Sequence, residues 1–140
     1  IIERVHAAGG LAIPAHPYDR MRAGIREAAL ETLAMDGLEV FNAATALPSQ
    51  NARALAYAQR RGLPMTAGSD AHHHAAIGRS HTLFAAERLS VRAILESLRK
   101  GTTLHCKPLG IRESLRKMFH TWFRHGPFRI RPPAVDSSTP

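Results

Sequence analysis

Three apolar runs start at residues 11, 37 and 63, 26 residues apart each time. That spacing constrains the fold more than any other feature of the chain. Leu11 to Ala15, Leu38 to Phe41 and Leu63 to Ala67 read as strands. The segments between them read as helices. Ile25 to Met35 is rich in Ala, Leu and Glu, all good helix formers. Ser49 is placed to cap a helix that runs to Arg61 and stops at Gly62. Strands joined by helical crossovers lie parallel, because a tight turn can join only antiparallel neighbours. The expectation is therefore an α/β chain of the βαβα type with a parallel sheet. Ile1 to Ala8 reads as the end of an amphipathic helix closed by Gly9-Gly10. Thr82 to Phe84 is a further short strand candidate. Ser90 caps a helix whose apolar face is Val91, Ile94, Leu95 and Leu98, with Arg99 and Lys100 at its carboxyl end and Gly101 closing it.

Charge divides the chain. The net charge is +8 over 140 residues. Residues 1–106 hold twelve Lys/Arg and nine Asp/Glu, a net +3, and residues 107–140 hold seven and two, a net +5. The expected organisation is a domain over 1–106, a basic amphipathic helix segment over 107–126 and a disordered tail over 127–140. In the middle segment Ile111, Leu115, Met118, Phe119 and Trp122 share one helical face, with Arg112, Arg116, Lys117 and Arg124 mostly opposite. That helix suits packing on the domain, peripheral contact with a membrane surface, or nucleic-acid contact, and composition does not separate the three. No apolar run approaches the ~20 residues that span a bilayer. The single cysteine, Cys106, excludes an intrachain disulfide, which makes a reducing cytoplasm the default expectation. Three or four parallel strands leave apolar faces and edges uncovered, and the chain opens on Ile1 inside a helical pattern. The expectation is a fragment whose missing strands lie upstream.

Two of the strand candidates end on residues that carry chemistry. Ala15-His16-Pro17 closes the first, and Gly68-Ser69-Asp70-Ala71-His72 follows the third. In parallel α/β folds the carboxyl ends of strands are where sites are built. Asp70 and His72, two residues apart in a turn, can reach a common centre. Mixed nitrogen and oxygen donors suit zinc, manganese or iron. His16, Asp70 and His72 are thus candidate metal ligands, too few for a multinuclear site. Each also has a plainer role: a strand-end histidine bonded to backbone, a turn aspartate and its neighbour. Arg79 follows Ile77-Gly78, where the backbone can approach a ligand, and a guanidinium matches a phosphate. It is equally read as a surface arginine. Arg20, just past His16, and Asn42, at the end of the second strand, are further candidates for substrate contact. Asn42 is alternatively read as forming the turn. Glu39, mid-strand, reads as a salt-bridge or ligand-supporting hydrogen-bonding residue. His73 and His74 read as solvated loop residues, His81 as structural, and Cys106 as a passive thiol.

Ala15 to Asp19, Gly37 to Asn42, Gly62 to His72, Ile77-Gly78-Arg79 and Thr82, in that order, resemble the carboxyl half of a PHP (polymerase and histidinol phosphatase) domain. The resemblance covers about residues 1–105. It implies a distorted seven-stranded βα barrel, present here in part and truncated at its amino end. It further implies a metal-dependent phosphoesterase with up to three divalent metals (Mn, Zn or Fe), His16, Asp70 and His72 being ligands. The family's His-x-His motif, the following Asp or His, and its mid-domain Glu and His lie outside this chain. The implied reaction is hydrolysis of a phosphate ester on a nucleotide, an oligonucleotide end or a sugar phosphate, with Asp70, His72 and Arg79 in the catalytic set. Two alternatives stand beside it: a non-catalytic PHP-like binding or scaffold module, and a metal-dependent amidohydrolase.

Overall fold

The structure is a computed structural model that describes residues 1–20, 24, 25, 27–110, 112, 113, 115, 116 and 119. It divides into two units, Ile1–Leu109 and Gly110–Pro140. In the first unit the elements are α1 (Ile2–Ala7), α2 (Glu27–Thr32), β1 (Leu38–Asn42), α3 (Pro48–Arg61), β2 (Met65–Gly68), a single 3₁₀ turn (His74–Ala76), β3 (His81–Leu83), α4 (Val91–Lys100) and β4 (Thr103–His105).

The βαβ expectation holds for the unit β1–α3–β2. The two strands are parallel, with Leu38 opposite Met65 and Asn42 opposite Gly68, and an irregularity between Glu39 and Phe41. Burial alternates along β1: Leu38, Val40 and Asn42 are buried, Glu39 and Phe41 half-buried on the other face. This is the two-residue period of a strand. The buried side meets α3. Leu38, Val40, Ala54, Tyr57 and Ala58 form one cluster with Tyr18 and Leu30. Leu30 and Leu38 are fully buried, and each contributes about 1.5–3 kcal/mol by leaving water. Exposed ion pairs lie over this core, with Glu27 on Arg53 and Arg60, and Glu31 on Arg60 and Arg61. Pairs this open to solvent add little to stability.

Helix ends follow local chemistry. α3 starts at Pro48, not after Ser49, and its extended cap residue Leu47 makes no side-chain cap bond. A proline suits the first helical position because the amide hydrogen it lacks has no partner there anyway. Gly62 ends α3 in the left-handed conformation, φ 61°. Ser90 caps α4 as expected, its hydroxyl accepting from the Ala93 amide, and Gly101 closes it at φ 116°. α2 is shorter than the expected 25–35. It ends at Thr32, whose hydroxyl bonds back to the Ala29 carbonyl, a local bond that competes with the helix.

Two expectations about strands are corrected. Residues 11–15 are not a strand. They run beside the start of β1, where the Asp36 amide donates to the Ala12 carbonyl, the Asp36 carboxylate accepts from the Ala12 amide, and the Glu39 amide donates to the Pro14 carbonyl. Pro14 has no amide hydrogen to return, so the ladder stays incomplete. Nor do the strands form one parallel sheet: among the described residues β1–β2 and β3–β4 are two separate two-stranded sheets. β3 pairs antiparallel with β4, His81 opposite His105 and Leu83 opposite Thr103. Glycine at 101 turns the chain back directly after α4, which brings β4 against β3 in the opposite sense.

β2 and β3 are joined by side chains. The Thr82 hydroxyl accepts from the Ala67 amide at 2.8 Å and donates to the Ala67 carbonyl at 3.0 Å. Thr102 donates to the Met65 carbonyl at 2.6 Å. Two threonine hydroxyls therefore take the place of a backbone ladder. The finding is an α/β unit with a two-stranded parallel sheet. Among the described residues no helix is long and apolar enough to cross a membrane.

In the second unit Arg112, Glu113, Leu115, Arg116 and Phe119 are helical, and the Gly110 amide donates to the Glu113 carboxylate at 2.7 Å. Leu115 and Phe119 are exposed. Ile111, Lys117, Met118, Trp122 and Arg124 of the expected helix face, and the expected disordered tail 127–140, lie outside the described residues.

Candidate functional site

Among the described residues only two that are not glycine have positive φ: His16 at 31° and Asp70 at 48°. Both are candidate ligands from the sequence. Aspartate tolerates this region better than histidine, and a strained backbone costs of order 1–3 kcal/mol that the surroundings must hold in place.

For His16 the holding group is visible. Its amide donates to the Glu39 carboxylate at 2.6 Å, and its carbonyl accepts from the Asp19 amide, which closes a tight turn. The same Glu39 oxygen accepts from the Asn42 side-chain amide at 3.1 Å. Its other oxygen stands 2.6 Å from where a Cβ on Gly68 would be. The irregular register after Glu39 and the half-buried face of β1 put this carboxylate between the His16 turn and the end of β2. The His16 ring nitrogen Nδ1 is buried without a hydrogen-bond partner.

On the other side, β2 ends at Gly68 and the chain turns through Ser69 and Asp70. His72 Nδ1 lies 2.8 Å from the Asp70 carbonyl and 3.7 Å from its carboxylate oxygen Oδ1. A carbonyl only accepts, so Nδ1 carries the hydrogen and the neutral ring keeps its lone pair on Nε2. The Asp70 side chain is mostly shielded and that of His72 is about half open. A carboxylate beside an imidazole with a directed lone pair is a chemically suitable donor pair for a divalent cation. The buried, unpartnered Nδ1 of His16 has the chemistry of a third donor. Among the described residues, however, no three His, Cys, Asp or Glu come together as a group that could hold a metal ion. Of the three candidate ligands, the contact the structure shows is between Asp70 and His72.

His73 departs from the sequence expectation. It is half-buried, with both ring nitrogens buried without a partner, while His72 is the exposed neighbour. The extended backbone at His73, φ −152°, alternates the two side chains and turns His73 inward.

The substrate candidates lie in different settings. Arg79 donates from Nε to the Pro108 carbonyl at 3.0 Å. Next to it the buried Ser80 hydroxyl bonds both the Lys107 amide and carbonyl, and the Leu109 amide donates to the Ala43 carbonyl. Residues 107–109 thus run as a strap from Arg79 to the carboxyl end of β1, and the basic Lys107 belongs to it. Asn42 is buried and committed: its amide is on Glu39, its carbonyl oxygen accepts from Ala44, and Asn51 bonds its backbone on both sides. Arg20 is exposed. His81 donates to the Gly78 carbonyl and stacks on His105 with ring centroids 4.8 Å apart. Partial burial pushes the Cys106 thiol pKa up, away from the reactive thiolate.

The sequence flagged Glu39 as a charge in an apolar strand. It did not reveal the approach to Gly68 or the inward turn of His73, since neither leaves a local pattern.

The model of a family described as PHP-associated matches residues 48–103. The matched stretch, less than half of the chain, includes Asp70, His72 and Arg79 but neither His16 nor Glu39. It agrees with the carboxyl-terminal region of a PHP domain. Searches of curated proteins and of solved structures gave no match.

Proposed function

We propose that this chain is the carboxyl part of a PHP-type phosphoesterase and supplies part of a metal site that hydrolyses a phosphate ester. The complete fold in this reading is the distorted βα barrel, of which β1–α3–β2 is one unit. The observation that carries the proposal is the pair of positive-φ residues, His16 and Asp70, each just past an apolar segment of the sequence. Strain held at two candidate ligands is more economical as part of a site than as an accident of two loops. The PHP-associated stretch across Asp70, His72 and Arg79 supports it.

In this reading Asp70 through its carboxylate, His72 through Nε2 and His16 through Nδ1 would hold divalent Mn, Zn or Fe, with further donors supplied from outside the chain. Such ions polarise phosphoryl oxygens and acidify water. Asp70 and His72 bind and orient. Arg79 meets the phosphate with its guanidinium, next to a strap that carries Lys107. Arg20, exposed and four residues past His16, is a second candidate for the phosphate. The substrate class is a nucleotide, an oligonucleotide end or a sugar phosphate, in a cytoplasmic setting.

The test is calorimetric titration of the full chain with Mn²⁺ and then with inorganic phosphate. The reading expects phosphate to bind only after the metal, and the Asp70→Ala variant to lose both events. Phosphate binding that ignores the metal, or that Asp70→Ala leaves intact, overturns it. A second reading, a non-catalytic PHP-like module, draws on the lack of a three-donor group among the described residues. It expects no metal-dependent phosphate binding at all.

A further inference from the structure

We propose that Glu39 is a positioning residue that couples the His16 turn to the Asp70 turn, and that glycine at 68 is required because of it. The inference deepens the metal-site reading and rests on it for its functional meaning, while its physical content stands on Glu39 alone.

β1 places Glu39 on the face away from the α3 core. One carboxylate oxygen accepts two hydrogen bonds, from the His16 amide and from the Asn42 side chain. The first spans 23 residues and is short, 2.6 Å, as bonds to an ionised acceptor are. It grips the residue whose backbone is strained, at φ 31°. Asn42 is itself held by Asn51 and Ala44, so the carboxylate is aimed by a fixed partner. The backbone amide of Glu39 meanwhile donates to Pro14, two residues before His16. Main chain and side chain of one residue thus fasten both ends of the approach to the turn.

The second oxygen faces β2. A Cβ at position 68 would sit 2.6 Å from it, closer than such atoms come. Gly68 is two residues before Asp70, and it pairs with Asn42 across the sheet. Any side chain there must displace the carboxylate, and displacing the carboxylate releases His16. A substitution on the Asp70 side therefore reaches the His16 turn through Glu39, although the two turns are more than 50 residues apart in sequence.

The experiment measures amide exchange of the full chain at His16 by NMR, with Co²⁺ titrations alongside. Glu39→Ala is expected to speed exchange at His16 by about ten- to hundredfold, the range of a hydrogen bond to a charged group. The amides of α3 should keep their protection, which shows the fold intact. Glu39→Gln keeps an acceptor in place and should recover most of the protection, as loss of mere bulk would not predict. Gly68→Ala should speed His16 exchange like Glu39→Ala, yet add nothing in the Glu39→Ala background, where the added methyl has room. Unchanged His16 exchange in Glu39→Ala, or additive effects of the two changes, overturns the coupling. The cobalt arm judges the site reading separately. If His16→Ala and the parent chain bind Co²⁺ alike, the metal reading falls while the exchange data still decide the coupling. If His16→Ala weakens binding, Glu39→Ala should weaken it too and alter the cobalt absorption spectrum. A spectrum and affinity unchanged by Glu39→Ala would deny Glu39 any positioning role.

Discussion

Thr82→Val tests how the two halves of the first unit are joined. The hydroxyl of Thr82 satisfies both the amide and the carbonyl of Ala67, a buried residue of β2. Valine keeps the shape and removes the bonds. Two hydrogen bonds at ~0.5–1.5 kcal/mol each set the lower bound of the cost, and leaving two buried backbone groups unpaired raises it toward ~2–4 kcal/mol. For a unit of this size that corresponds to a fall in Tm of roughly 8–20 °C. Thr82→Ser keeps the hydroxyl and should recover most of the loss. The assay is urea unfolding followed by circular dichroism, with the same slope in both variants so that midpoints compare directly. A Thr82→Val chain within ~0.5 kcal/mol of the parent would refute the hydroxyl bridge and detach β3, and Arg79 just before it, from the β1–β2 unit.

Three further outcomes are expected. Burial alone would raise the pKa of Asp36, but the Ala12 amide and the His6 ring bonded to it prevail and hold it below 3.8. Its stabilising contribution is therefore present above about that value and is lost as pH falls through the lower folded pKa; acid titration of Asp36→Asn should lack that component, and an identical acid profile in both chains would contradict it. Leu30→Ala empties a fully buried position and should cost ~2–5 kcal/mol in urea unfolding, a loss under ~1 kcal/mol counting against the core as described. Gly62→Ala meets open space but a φ of 61°, so it should cost only the strain of about 1–2 kcal/mol in the same assay, and a neutral result would contradict the left-handed cap.

What the sequence made legible has a local cause. α4 was readable because Ser90, the spacing of Ile94 and Leu98, and Gly101 all act within a few residues. The end of α3 was readable because only glycine takes the left-handed cap without strain. The β1–α3–β2 crossover followed from spacing. What escaped depends on partners distant in sequence. Apolar character at 11–15 predicted a strand, but pairing needs a donor that Pro14 lacks. β4 is three residues long and carries no period to detect, and its antiparallel pairing with β3 follows from a reversal at one glycine. At the candidate site, the residue types at 16, 70 and 72 were plain in the sequence. The approach of Glu39 to Gly68 and the inward turn of His73 were not, because each is set by contacts across the fold.

The most direct measurement of the central claim is metal content of the parent chain and of four variants, His16→Ala, Asp70→Ala, His72→Ala and His73→Ala, each loaded with Zn²⁺ or Mn²⁺, dialysed and read by mass spectrometry. The account predicts bound metal in the parent, its loss in Asp70→Ala and His72→Ala, a weakened hold in His16→Ala, and retention in His73→Ala. A parent that holds no metal, or Asp70→Ala and His72→Ala chains that keep it while His73→Ala loses it, would contradict the assignment of the site to Asp70 and His72.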